Sequence, residues 1–163
     1  MSVAAVQRQL ATTGEPEVAL AGYFTELCAS IAASMIPDPR QLALSVECDG
    51  STTDSEMSVS LGLIVTELVI NALKHGFPTT RVGTIKVAYR SRGTGWSMSV
   101  TDDGVGMPTG VEKPGLGTSI VRALAAQLKA EVRVVDMTPG TAVLIEHKDF
   151  DGPGVEPPMA HAV

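Results

Sequence analysis

A chain of 163 residues, 44% hydrophobic and 18% charged, can bury one core without disulfides or metals and is too apolar to be disordered. Its formal net charge of −6 gains nothing by counterion release from a phosphate polymer, which argues against nucleic acid as a partner but leaves room for a single nucleotide. No apolar run reads as long enough to span a membrane, and MSVAAVQRQL lacks the basic start and apolar core of a secretion signal, so no membrane contact and a cytoplasmic location are expected.

Residues 2–10 place Val3, Val6 and Leu10 on one helical face, a stub too short to stand alone. After a turn at 12–16, residues 17–35 repeat Leu20, Phe24, Leu27, Ile31 and Met35 at helical spacing, and Pro37 and Pro39 end that helix. Residues 41–48 alternate strictly, with Leu42, Leu44, Val46 and Cys48 on one face of a strand. A polar loop over 49–56 leads to the longest apolar helix, 58–75, which stops at Gly76 and Pro78. Two strands, 84–90 and 96–102, are joined by a turn at 91–95. A helix over 118–129 and a hairpin of 131–136 with 141–147 follow. The tail from Asp149, rich in Pro and Gly, is expected to be mobile. Cys28 and Cys48 have no metal-ligand spacing and read as buried, reduced thiols. Five strands and two or three helices predict an α+β fold: a two-layer sandwich with helices on one face of a mixed five-stranded sheet.

Three places in this outline carry chemistry. On helix 58–75, Glu67 and Asn71 stand four residues apart on one face, and Lys74 and His75 extend the stripe. An acid and an amide on so apolar a helix suit a hydrated Mg²⁺, with Lys74 reaching a phosphate. An ordinary solvent face explains the stripe equally well, and His75 also suits a helix C-terminus. In strand 96–102, the period that turns Trp96, Met98 and Val100 inward carries Asp102 with them, while Asp103 falls outward with Ser97, Ser99 and Thr101. An inward carboxylate must accept hydrogen bonds, and an adenine amino group is a suitable donor. Gly104 and Gly106 would let a flat base approach, although a self-capped turn is the commoner origin of Asp-x-Gly-x-Gly. Third, Gly115, Leu116, Gly117 and Thr118 open an apolar helix whose free amides would attract phosphate, or which is merely capped by Thr118 or Ser119. The segment 107–114 between them could fold over a nucleotide as a lid, with Lys113 near phosphate or simply solvated.

In order, these motifs and a final Gly140-Thr141 resemble the Bergerat-type (GHKL) ATPases: histidine kinases, the DNA gyrase and Hsp90 class, and MutL. The resemblance covers roughly residues 40–147. LGLIVTELVINALKHGFP, VTDDGVGMP and GLGTSIVRALAAQL look like the N, G1 and G2 boxes of HisKA_2-type sensor histidine kinases. The resemblance implies ATP and Mg²⁺ as ligands. It implies that Glu67 polarises a water near the metal, Asn71 ligates it, and Lys74 and His75 lie near the phosphates. It further assigns Asp102 to the adenine amino group, Gly104 and Gly106 to the base, Gly115 and Gly117 to the phosphates, and Thr141 to a water beside the base.

The chain departs from such kinases in its histidines. It holds only His75, His147 and His161, none on an N-terminal helix in the context of a phosphoacceptor. It therefore resembles the catalytic part alone: 1–16 the remnant of a helical dimerisation and phosphotransfer segment, 17–148 the ATP-binding domain, and 149–163 a tail. The acceptor histidine would belong to a helical domain in cis or in trans, with a response regulator further on. The competing readings are a stand-alone serine kinase of the anti-sigma-factor type and a nucleotide-binding regulatory module without catalysis.

Overall fold

The computed structural model describes residues 17–78, 81–106 and 116–152, with main chain only for Leu116 and Gly117. Ten elements follow in order: β1 (Val18–Ala19), α1 (Leu20–Met35), β2 (Leu42–Cys48), β3 (Thr52–Thr53), α2 (Ser55–His75), β4 (Gly83–Arg92), β5 (Gly95–Asp102), α3 (Leu116–Gln127), β6 (Ala130–Asp136) and β7 (Thr141–His147). The five long strands form one mixed sheet in the order β2-β4-β5-β7-β6. β2 runs parallel to β4, and every other pair is antiparallel.

Period-2 alternation decides which face the helices cover. Ile85, Val87 and Tyr89 of β4, Trp96, Met98 and Val100 of β5, and Ile145 of β7 share one face and are all buried. Leu20, Phe24, Leu27 and Ile31 of α1, Leu61, Ile64, Val65, Leu68 and Val69 of α2, and Val121 and Ala125 of α3 complete the same core. The result is the expected two-layer α+β sandwich with helices on one face of a mixed five-stranded sheet. At one end of this interface Tyr89 stacks on Trp96 with centroids 5.9 Å apart, and Phe24 meets Tyr89 edge-on at 6.0 Å. Trp96 and Asp102 are six residues apart on β5, so the aromatic cluster lies about 20 Å from that strand's acidic end.

Several details differ from the sequence expectation. β1 pairs with β3, a two-residue bridge inside what read as a helix start and a polar loop. α2 begins at Ser55 because Asp54 caps it, its carboxylate accepting from the Met57 N–H at 2.8 Å. Ile120 is exposed although it fits the apolar pattern of α3. On the face away from the helices, Ser97 and Ser99 are buried at 0% and 1% exposure. They ride on the central strand, with Ala88 and Leu144 in register on either side of Ser99, and their hydroxyls find no partner among the described residues. The alternation gave their face correctly but not their burial, because sheet position shields short side chains.

α2 also corrects the membrane argument: by length and composition alone it is apolar enough to cross a bilayer. Its buried residues are those of the core, and it carries Glu67, Asn71 and Lys74, so it is read as the central helix of a folded domain. Burial pushes the Cys28 thiol up to about 12, and burial together with Asp49 pushes Cys48 up to about 11, so neither is a thiolate near neutrality. Residues 149–152 fold back on the β4–β5 hairpin: Phe150 N–H donates to the His147 carbonyl at 2.9 Å, and Asp151 pairs with Arg92 at 3.5 Å. The helical stub at 2–10, the turn at 12–16 and residues 153–163 lie outside the described residues.

Candidate functional site

Three backbone segments meet beside the acidic end of β5: the end of α2, the turn after β5, and the β6–β7 turn. Glu67 and Asn71 lie one turn apart on α2, both half-buried, and neither side chain is hydrogen-bonded among the described residues. Lys74 and His75 occupy the last turn of α2 and are exposed. Gly76 caps the helix, its N–H bonding to the Ala72 carbonyl at 2.8 Å.

Asp102 closes β5 with its side chain on the helix-covered face, 8% exposed, as the alternation predicts. Its neighbours in register are Ile85 on β4 and Thr141 on β7. Oδ1 accepts from the Gly104 N–H at 3.0 Å, and the Thr141 backbone lies beside the carboxylate in register on β7. Burial pushes the Asp102 carboxyl above the usual range. The Gly104 donor, the Thr141 backbone and the Arg81 guanidinium oppose that rise, and Asp103 adds to it. An ionised carboxylate has about four lone-pair sites, and among the described residues the Gly104 N–H fills one, so acceptor capacity remains for a ligand's N–H.

The turn after β5 is pressed against α2. Val105 N–H donates to the Gly76 carbonyl at 2.9 Å, and a Cβ on Gly104 would collide with that same carbonyl. On the other side, Gly140 (φ +100°) lets the β6–β7 turn lie on the Asp102 backbone, where a side chain would strike the Asp102 carbonyl. Gly106 faces Gly140 across this junction. Asp103 points away and ties β5 to β4, its carboxylate accepting the Thr84 N–H at 2.7 Å.

The structure thus gathers Asp102, Gly104, Gly106 and Thr141 around one junction, with the end of α2 adjoining it. α3 starts at Leu116, with Gly117 and a half-buried Thr118 in its first turn, and packs on α2 and β6. Lys113, Gly115 and the expected lid at 107–114 lie outside the described residues. Arg81 is the residue that sequence reasoning missed. Its Nη2 donates to the carbonyls of Asp103 at 3.1 Å and Gly104 at 3.2 Å, backbone contacts that no side-chain pattern announces.

The profile of the family described as "Histidine kinase-, DNA gyrase B-, and HSP90-like ATPase" matches residues 56–151, more than half of the chain and all of this junction. The chain belongs to this ATPase family. A relative within it, blue-light-activated histidine kinase 2 of Erythrobacter litoralis, is 32% identical over 109 residues, which is 64% of this chain and 32% of that protein. The sensor histidine kinase PdtaS of Mycobacterium tuberculosis is 35% identical over 82 residues, 48% of this chain and 16% of that protein. The chain therefore spans a third or less of the length of these two relatives. Among solved structures, the histidine kinase domain of an E. litoralis blue-light activated histidine kinase superposes with a TM-score of 0.77 at 24% identity, over 87% of this chain and 69% of that one. The mycobacterial sensor histidine kinase MprB superposes with a TM-score of 0.62 at 19% identity, over 80% of this chain and 95% of that one. At those identities the two structures establish the shared GHKL ATPase fold.

Proposed function

We propose that this ATPase-family chain is the ATP-binding catalytic domain of a sensor histidine kinase, read as cytoplasmic because its nucleotide is an intracellular one. Asp102 accepts from the adenine amino group, Gly104 and Gly106 line the base, and Thr141 holds a water beside it. The glycine-rich segment Gly115, Leu116, Gly117 and Thr118 receives the phosphates, with Lys74, His75 and Lys113 nearby. The observation that carries the reading is Asp102, a buried acid at a strand end, bonded to the Gly104 N–H and retaining acceptor sites.

Glu67 and Asn71 suit Mg²⁺, which uses one or two protein oxygens and completes its shell with water and phosphate. Asn71 would ligate the ion and Glu67 would orient a bound water; the ion would neutralise charge on the transferring phosphate. The protein's own part is positioning, since phosphoryl transfer asks for alignment and charge neutralisation more than covalent participation. The acceptor histidine is assigned to a helical domain in cis or in trans, and the phosphate would pass on to a response regulator. Relatives named as sensor histidine kinases favour this over a serine kinase or a regulatory module without catalysis.

Titration with a fluorescent ATP analogue and Mg²⁺ tests the site. Asp102→Asn is expected to weaken binding roughly 10- to 100-fold, the worth of one charge-assisted hydrogen bond. Absence of binding at millimolar nucleotide, or equal binding by the variant, would defeat the reading.

A further inference from the structure

Arg81 stands outside every motif, yet its contacts converge on the residue that carries the site. Its backbone N–H bonds to the Pro78 carbonyl at 3.0 Å, which anchors it just beyond α2. Its Nη2 grips two successive carbonyls, those of Asp103 and Gly104. A peptide unit is planar, so fixing its carbonyl fixes the N–H at its other end. The Asp103 carbonyl shares a peptide with the Gly104 N–H, which donates to Asp102 Oδ1 at 3.0 Å. The Gly104 carbonyl shares a peptide with the Val105 N–H, which donates to Gly76 at 2.9 Å. One guanidinium nitrogen therefore sets both peptide planes that hold the turn to Asp102 and to α2. Arg81 Nε is buried without a partner among the described residues, so the side chain keeps this pose at the expense of one donor.

We propose that Arg81 is a positioning residue for the nucleotide base: through the Asp103–Gly104 peptide it aims the Asp102 carboxylate at the ligand's amino group. The inference rests on the adenine reading of Asp102. Its charge component follows from the surroundings. Asp103 is the near acid, and Ile85 and Thr141 on the flanking strands carry no charge. Asp136 shares the cross-strand row two spacings away, about 10 Å. Lys74 and His75 at the end of α2 are exposed. Among the described residues, Arg81 is the cation whose charge works against the burial of Asp102.

The test compares binding of Mg-ATP with binding of Mg-purine riboside triphosphate, which lacks the amino group, between pH 5 and 8. The wild type is expected to prefer ATP about tenfold or more. Arg81→Gln keeps a donor but no charge: its preference should fall to within about twofold, with the acid limb of ATP affinity moved to higher pH. Arg81→Lys keeps a cation without the fixed fork: the acid limb should stay while part of the preference is lost. Unchanged preference and an unmoved acid limb in both variants, or equal weakening towards both triphosphates, would overturn the proposal, the latter marking a purely structural role. A wild type indifferent to the amino group would overturn the adenine reading itself and this inference with it.

Discussion

The Asp102 carboxyl is held in a place that suits a ligand better than it suits folding. Its raised folded-state pKa means that ionisation disfavours the native state: stability is lost as pH climbs from the ordinary carboxylate range through that raised value. Asp102→Asn removes this loss while keeping an oxygen to accept the Gly104 N–H. The nucleotide-free variant should therefore melt higher than the wild type at neutral pH, with the gap closing as pH falls below about 4. Calorimetric scans from pH 3 to 7 measure it, and a variant that melts lower throughout would contradict it. Asp102 could be read from the chain because a strand's period of two assigns every side chain a face. Arg81 could not, since its partners are main-chain carbonyls from a turn more than twenty residues away.

At the scale of elements, packing overrides local preference most plainly at Gly62. It lies mid-way along α2, where Ala would ordinarily gain about 1 kcal/mol in helix propensity. A Cβ there would run into the Tyr23 side chain from α1, itself 4% exposed. Overpacking costs about 1–3 kcal/mol, so Gly62→Ala should show a net loss of up to about 2 kcal/mol in urea melts, and Tyr23→Phe in the same chain should recover part of it. A stabilised single variant would mean that the helix–helix contact is loose. All the long helices and strands could be anticipated, because each carries many apolar residues in one period. The β1–β3 bridge could not, being four residues with no pattern to repeat. The start of α2 was missed for a related reason: one capping side chain, Asp54, recruits polar residues that read as loop.

For the molecule as a whole, acid response should be governed by two aspartates of opposite sign. Burial alone would raise the Asp49 carboxyl, but hydrogen bonds from Ser51 and Ser91 outweigh it and hold it below the usual range. Its Oδ2 accepts the Ser91 N–H at 2.7 Å and its Oδ1 the Ser51 N–H at 3.1 Å, joining the end of β2 to β4. That contribution is fully present above the unfolded pKa of about 4 and disappears as pH falls through the depressed folded value. Asp49→Asn should therefore lower the melting temperature at pH 7, with the deficit shrinking below about pH 4 and vanishing below the depressed folded value; a constant deficit would assign it to geometry, not charge. The loop that holds Asp49 looked like filler in the sequence, because a partner forty residues away lends no local signal. The sheet order β2-β4-β5-β7-β6 is beyond local pattern for the same reason, although the number of strands and the face they bury are not.

The meeting of Gly76 and Gly104 has one more consequence. Backbone touches backbone there, with no side chain between the end of α2 and the turn after β5. A joint made of main chain alone offers substitution nothing to trim: any replacement can only add atoms and push the two apart. The spacing between the helix that bears Glu67 and Asn71 and the strand that bears Asp102 is thus set like a gauge block. While both glycines are kept, substitution elsewhere can alter how tightly each end of the proposed site holds a ligand, but not how far apart those two ends stand.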